Sequence, residues 1–322
     1  MTNKWISIFK KFEKTKILVI GDAMIDYYMW GNIHRKSPEA DIPIVDIEKY
    51  ERKLGGAANV ANNIKSLGGN VILSSVIGNN DQGLLNLMRK ENLCTHGVLQ
   101  EERKTSVKTR IICDGKHQLR LDEEDTFPIK NEKYFIQHSV QLMSETDVIV
   151  FQDYNKGLLS KNVITELIKE AKLRNKPILV DPKKDNYWMY KGVDLFKPNK
   201  KELLESQSLK SKNIDLKKIV HIASNQRKKI DAKAFLLTLS EKGVFIQTKN
   251  DSMHYPSFKK KIIDVSGAGD AVIATSALAL ACQLDFFQLA QLANLAGGLS
   301  CESIGVNPLK KNDFLKEVIR SI

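Results

Sequence analysis

The sequence predicts an α/β fold: a three-layer α/β/α arrangement with a mainly parallel central sheet, plus a small β-sheet lid. Short aliphatic runs recur at 17–20, 71–77, 148–151, 178–180 and 235–239, and runs of this length without alternation fit strands buried on both faces. Helical patterns lie between several of them, which is the rhythm of a parallel sheet covered on both sides. Two stretches, about 27–50 and 105–122, carry strand residues outside that rhythm and supply the lid.

Taken along the chain, the leader MTNKWISIFKKFEKTK reads as a short amphipathic helix ahead of the first strand. It has neither the apolar core nor the small-residue cleavage site of a signal peptide. No apolar run approaches the ~18 residues that a membrane crossing needs, so a cytoplasmic protein with no membrane partner is expected. Ile42, Ile44, Val45 and Ile47 give 27–50 a strand character without helical period. Ala57, Val60, Ala61, Ile64 and Leu67 then share one helical face. The stretch 105–122 reads as a hairpin turning at Asp114-Gly115. Val163, Ile164, Leu167, Ile168 and Ala171 form a second helical face with Ser160 as its N-cap. The polar stretch 210–231 reads as a surface helix with loops; strand signals resume directly after it, so it is no linker. The segment 270–282 is apolar almost all round, which predicts a deeply buried helix, and 286–303 predicts the next. All 322 residues are expected to form one domain.

Hydrophobic residues make up 42% and aromatics 7%, so aliphatic side chains should dominate the core. Cys94, Cys113, Cys282 and Cys301 form no C-x-x-C pair, and no zinc spacing occurs; buried reduced thiols are expected. The net charge is +12, but Lys210, Lys212, Lys217, Lys218, Arg227, Lys228 and Lys229 are scattered and lack an aromatic stacking platform. They read as a solvated surface, with no nucleic-acid partner. A positive field also draws in phosphorylated substrates.

Two glycine-rich strings carry the chemistry. Asp264-Val265-Ser266-Gly267-Ala268-Gly269-Asp270 stands directly before the buried helix. Its glycines let successive N–H groups face an anion at a helix N-terminus, and an acid in the first turn then lies beside a bound phosphate. By itself the string also fits a turn with Asp270 as a simple cap. It is neither a P-loop nor a dinucleotide fingerprint. Gly55-Gly56-Ala57-Ala58-Asn59-Val60-Ala61 opens an earlier helix. Its small residues permit close approach by a ligand or by another backbone, and Asn59 is suited to sugar hydroxyls.

Together the two strings resemble the paired signatures of the ribokinase-like (PfkB) carbohydrate kinase family. Other family landmarks follow in order: Gly21-Asp22-Ala23-Met24-Ile25-Asp26, the N-x-x-E-like Lys197-Pro198-Asn199-Lys200-Lys201-Glu202, and Thr238-Leu239-Ser240-Glu241-Lys242-Gly243. The resemblance runs from about residue 16 to 308. Within the family the likeness is closest to the heptose 7-phosphate kinases, carried by GDAMIDYYMWG, RKSPEADIPIV, LRLDEED, QDYNKG and LVDPKKDNYWMYKG. Asp41 departs from a usual proline and Lys184 from a usual glycine. No H-x-G-H nucleotidyltransferase motif occurs, so kinase activity alone is expected.

The resemblance implies a ribokinase-like fold, ATP and Mg²⁺ as cofactors with a monovalent cation as a further possibility, and transfer to the anomeric hydroxyl of D-glycero-D-manno-heptose 7-phosphate. Asp270 is then the catalytic base, and the N–H groups of Gly267, Ala268 and Gly269 form the anion hole. Asn199, Ser240, Gly243 and Asn294 line the nucleotide site, with Asn199 and Glu202 holding Mg²⁺ through water. Asp26, Gly55, Gly56 and Asn59 hold the sugar. Arg35, Arg120, Lys156 and Lys183 are the cations open to the sugar phosphate; Asp122 and Asp153 either bind hydroxyls or are structural. Asp181 and Glu39 read as loop braces. Exposed lid edges favour a homodimer through the lid. Another sugar or nucleoside kinase of the family, and a non-catalytic sugar-binding sensor, are the alternatives.

Overall fold

The computed structural model describes residues 2–79, 82–208, 215–258 and 262–322. In chain order its elements are α1 (Thr2–Phe12), β1 (Lys16–Gly21), β2 (Ala23–Lys36), β3 (Pro43–Gly56), α2 (Ala57–Ser66), β4 (Asn70–Gly78), α3 (Gln82–Lys90), β5 (Val98–Glu101), β6 (Ser106–Cys113), β7 (Lys116–Glu123), α4 (Glu132–Met143) and β8 (Val148–Gln152). There follow α5 (Lys161–Leu173), β9 (Ile178–Asp181), β10 (Leu195–Phe196), α6 (Lys200–Glu205), α7 (Leu216–Ile230), β11 (Ala234–Thr238), β12 (Val244–Gln247), β13 (Ser252–Tyr255), α8 (Ala268–Ala281), α9 (Phe286–Ser300) and α10 (Lys311–Ser321).

Nine strands form the main sheet in the order β13-β12-β11-β10-β9-β8-β1-β4-β5. Pairing is parallel from β5 across to β11, and β12 and β13 add an antiparallel edge. Alternate residues of the buried strands enter opposite cores. Ile17 and Val19 pack with α2, α8 and α9, while Leu18 and Ile20 pack with α4, α5 and α7. The chain leaves β1 toward β4 on one side and later resumes at β8 on the other. The crevice at the carboxyl ends of β1 and β8 is therefore a topological switch point, where open α/β sheets bind their ligands.

The lid is a mixed sheet in the order β3-β2-β6-β7. Strands β2 and β3 pair antiparallel along fourteen residues each, β2 and β6 pair parallel, and β6 and β7 form the hairpin. Asp114 and Gly115 both have positive φ (51° and 70°), as a two-residue turn matching strand twist requires. Tyr28 of the lid is fully buried and accepts a hydrogen bond from the Val306 amide at 3.1 Å, which seats the lid on the loop after α9.

Several boundaries differ from the sequence reading. The first lid stretch begins at Ala23 and ends at Gly56, because the edge strands continue beyond their apolar part. The buried helix begins at Ala268, two residues before Asp270, since Gly267 already serves as its N-cap. The following helix ends at Ser300. Strands β5, β10, β12 and β13 escape the aliphatic-run signal because they are short or, like β13, largely exposed. Of the polar stretch, 216–230 is helix α7, and 210–214, with Lys210 and Lys212, lie outside the described residues. The leader does form an amphipathic helix: Phe9 and Phe12 pack against each other with tilted rings, and Phe9 packs on Phe314 of α10. The thiol expectation needs one correction. Cys113 and Cys301 are buried and Cys282 is half-buried, but Cys94 is exposed, with its Sγ 2.7 Å from His96 Nδ1. No helix among the described residues is long and apolar enough to cross a membrane.

Candidate active site

The first turn of α8 faces the switch-point crevice. Its N-cap, Gly267, has φ 79°, and no side chain caps the helix. The Ala268 amide donates to the Val265 carbonyl at 3.2 Å, while no side chain takes up the other leading amides, and the helix dipole adds to their pull on an anion. Asp270, in that turn, is 4% exposed. Its Oδ2 accepts from Asn59 Nδ2 at 2.7 Å. Its Oδ1 accepts from Tyr154 Oη at 2.9 Å and from Gln152 Nε2 at 3.2 Å. Burial pushes the Asp270 carboxyl up to about 7, the donors from Asn59 and Tyr154 work against this, and the charges of Asp181 and Asp26 add to it. A buried carboxyl that titrates close to neutral pH at a helix N-terminus is suited to taking a proton from an attacking hydroxyl.

Asn59 reaches Asp270 because β3 ends in two glycines. Gly56 has φ 56°, a region open to glycine, and a Cβ there would stand 2.8 Å from Met24 Cε. The chain turns at this point directly into α2, whose first turn carries Asn59. Asn63, one turn later, donates to Asn59 Oδ1 at 3.2 Å and holds its amide in place. Asp22, buried at the β1–β2 junction, accepts from the amides of Tyr154 at 2.9 Å and Lys156 at 3.2 Å, and so fixes the loop that carries Tyr154.

A cavity of about 1230 Å³ runs from Asp270 past Asn199 and Glu202 to Ser240, Gly243 and Asn294. Asn199 and Glu202 form a reciprocal capping box on α6: Asn199 Oδ1 accepts from the Glu202 amide and Glu202 Oε2 accepts from the Asn199 amide, both at 2.9 Å. In the lid, outside the lining of this cavity, Arg110 pairs with Asp26 and lies 5.3 Å from the ring centroid of Tyr28.

The pattern of the pfkB family carbohydrate kinases matches residues 14–312 of this sequence. The chain belongs to that family. Such kinases are phosphotransferases with an alcohol group as acceptor. Among curated proteins this pfkB kinase is similar to the bifunctional protein HldE of Sulfurimonas denitrificans, 39% identical over 93% of this chain and 63% of that protein. The HldE protein of Campylobacter curvus is 34% identical over 96% and 66%. The chain therefore spans just under two thirds of the length of these relatives. Among solved structures it resembles phosphofructokinase-2 from Escherichia coli in complex with substrates and products (TM-score 0.78, 18% identity, 94% of this chain and 97% of that one). It also resembles ribokinase from Thermotoga maritima (TM-score 0.69, 19% identity, 95% and 100%). These two likenesses show the ribokinase-like fold.

Against this frame the residues singled out in the sequence of the kinase fall into three groups. Asp270, Gly267, Ala268 and Gly269 stand together at the start of α8, with Asn199, Glu202, Ser240, Gly243 and Asn294 along the same cavity. Asn59 bonds Asp270, and Asp26, Gly55 and Gly56 lie beside it where β2 and β3 begin and end. The proposed phosphate cations are divided. Lys156 and Arg120 belong to one cluster, in which Lys156 pairs with Glu124 at 2.6 Å, Lys108 with Glu124 and Asp122, and Arg120 with Asp122 at 2.9 Å. Arg35 is exposed near the far end of β2. Lys183 is not on the lid at all. It pairs with Glu202, lies 5.1 Å from the Tyr154 ring centroid and lines the same cavity as Asn199 and Glu202. Burial opposes its charge, and Glu202, Asp181 and Asp270 together hold its pKa above the ordinary lysine value. Asp153 is buried, and its carboxylate accepts from Tyr190 Oη at 2.7 Å, Asn186 Nδ2 at 3.0 Å and the Asn155 amide at 2.8 Å.

Four residues, Tyr154, Gln152, Lys108 and Arg110, escape the sequence reading, as does the role of Asp264. Tyr154 and Gln152 hold Asp270, and their place at the carboxyl end of a buried strand was the available signal. Arg110 follows Lys108 on the same lid face by the two-residue period of a strand. Asp264 braces the loop that leads into α8: its Oδ1 accepts from the Ser266 amide at 3.0 Å and its Oδ2 from the Gly305 amide at 2.8 Å.

Proposed function

We propose that this chain transfers a phosphoryl group from Mg·ATP to the anomeric hydroxyl of D-glycero-D-manno-heptose 7-phosphate, giving the 1,7-bisphosphate. The observation that carries the reading is Asp270, buried, triply bonded and set beside the uncapped amides of α8. The heptose rests on the heptose-kinase-like stretches of the sequence.

Asp270 accepts the proton of the attacking hydroxyl. The amides of Gly267, Ala268 and Gly269 hold the charge that develops on the transferred group, and fixed donors of this kind need no reorganisation as the reaction proceeds. Asn59 and Asp26 orient the sugar, and Gly55 and Gly56 let it lie against the backbone. Positioning of this sort supplies most of the catalysis in phosphoryl transfer. The sugar phosphate is met by Lys108, Arg110, Arg120 and Lys156 around the inner lid, rather than by Lys183.

The cavity, lined by Ser240, Gly243 and Asn294, and the helix terminus without a side-chain cap fit a nucleoside triphosphate. Magnesium, when bound, neutralises phosphate charge. Glu202 already spends one oxygen on Lys183 and the other on the Asn199 amide. Both residues therefore suit a metal held through its own waters, as magnesium prefers. A homodimer through the lid fits Ile42, Tyr50, Leu119 and Leu121, which are large, apolar and exposed on the lid. One domain and a cytoplasmic location complete the reading.

A coupled ADP-release assay tests it, with heptose 7-phosphate beside ribose and fructose 6-phosphate. The expected result is turnover on the heptose phosphate well above the other two. Preference for ribose or fructose 6-phosphate would move the substrate elsewhere in the family. Sugar binding without ADP release in all three would favour a sensor.

A further inference from the structure

Gln152 closes β8 where the strand order reverses, in register with Gly21 of β1 on one side and Asp181 of β9 on the other. It is 1% exposed. Its Nε2 donates to Asp181 Oδ2 at 3.1 Å and to Asp270 Oδ1 at 3.2 Å, while its Oε1 has no hydrogen-bond partner among the described residues. Charge fixes this orientation, because the reversed amide would press an oxygen against two carboxylates.

Asp181 is joined in turn to Lys197, Nζ to Oδ2 at 3.0 Å, with both side chains buried. That pair lies directly against the start of α8: a Cβ on Gly269 would stand 3.6 Å from Lys197 Nζ and 3.8 Å from Asp181 Oδ2. On the opposite side, a Cβ on Gly267 would stand 3.1 Å from Asn59 Nδ2. A ring of side chains therefore runs from Gly267 through Asn59, Asp270, Gln152, Asp181 and Lys197 back to Gly269. Gln152 is the bridge between its acid and its ion pair.

We propose that Gln152 is a positioning residue for phosphoryl transfer, its amide fixing the Asp270 carboxylate relative to the Asp181–Lys197 pair so that the acid meets the acceptor hydroxyl in one orientation. The inference rests on Asp270 being the base. Asp270 is faced by Asn59 from α2, Asp26 from β2, Gln152 from β8 with Tyr154 just beyond it, Asp181 from β9 with Lys183 just beyond it, and Lys197 after β10. All but Gln152 remain when Gln152 is replaced. Without the amide, Asp270 loses a donor to its charged form and confronts Asp181 unshielded, and both changes favour the protonated acid.

The test is the pH profile of kcat/KM for the full chain, measured with ATP and whichever of the three sugars turns over fastest. Wild type is compared with Gln152→Met and with the isosteric Gln152→Glu, and circular dichroism and nucleotide binding check the fold. In Gln152→Met the acid limb should rise by about half to one pH unit and kcat should fall about tenfold, with KM for ATP within about twofold. Gln152→Glu, which must share a proton among three acids, should move the limb further. If Gln152→Met does not fold, Gln152→Glu decides alone. A limb and a kcat unchanged from wild type in a folded variant overturn the inference. An active Asp270→Asn enzyme would instead remove the base reading itself, so the two failures are distinguishable.

Discussion

Asn59 donates from Nδ2 to Oδ2 of Asp270 at 2.7 Å, joining residues 211 positions apart in the chain. One comes from the first turn of α2 and the other from the first turn of α8, so two helix N-termini converge on a single carboxylate. The contact also explains why neither glycine-rich string alone identifies a kinase.

Replacing Asn59 by leucine removes this donor while keeping most of the volume. Hydrogen bonds to charged groups contribute about 1.5–3 kcal/mol, so kcat should fall roughly 10–100-fold. Steady-state kinetics at pH 8 check it, and ATP binding by calorimetry should change little.

Asp270→Asn should cut turnover by about 10²–10⁴-fold and yet stabilise the fold. The folded carboxyl titrates near 7, above its ordinary value of 3.8. Between those values the native state binds more protons than the unfolded chain, so stability falls as pH rises from about 4 to about 7 and then levels off. The asparagine lacks that slope. Above pH 7 it should therefore gain up to about 4 kcal/mol, taking about three pKa units at 1.36 kcal/mol each as an upper bound. The advantage should vanish near pH 4. Urea unfolding at pH 4.5, 6 and 8 checks the sign; a variant less stable than wild type at pH 8 would contradict it.

Much of this arrangement was legible in the sequence, and the limits are physical. Strands buried on both faces, such as 17–20 and 148–151, announce themselves by continuous apolar runs, and α8 by being apolar all round. Glycines at positions of positive φ mark close approach even without coordinates, which is why Gly56 and Gly267 could be read. Charge pairing could not. Lys183 and Arg120 look alike in a sequence, but one folds against Glu202 and the other against Asp122. Those choices depend on register across strands and on where a loop returns to the sheet. Asp153 and Asp270 are both buried acids near the same crevice, and only their partners distinguish them.

Gly267→Ala should impair the anion hole specifically. At φ 79° a side chain is strained, and the new Cβ would stand 3.0 Å from Val306 Cγ1 and 3.1 Å from Asn59 Nδ2. A loss of about 1–3 kcal/mol in stability is expected from the backbone strain. Because Asn59 must shift, the effect on kcat should exceed that on KM for ATP. Melting temperature and kinetics, measured together, separate the two effects.

Lys183→Ala tests which phosphate this cation serves. Its ammonium pairs with Glu202, whose carboxylate also caps the Asn199 amide, and all three line the cavity proposed for the nucleotide. Removing it leaves Glu202 with an uncompensated charge, 4% exposed, at the place proposed for the metal. The apparent affinity for Mg·ATP should weaken by about tenfold, the scale of one charge-assisted hydrogen bond. KM for the phosphorylated sugar should stay within about twofold, since the cations near that group, Lys108, Arg110, Arg120 and Lys156, are untouched. Arg120→Ala and Lys156→Ala should show the opposite pattern. Initial rates with each substrate varied at saturating levels of the other decide the matter. A rise in sugar KM confined to Lys183→Ala would place the sugar phosphate on the nucleotide side of Asp270 and reverse the proposed direction of the acceptor.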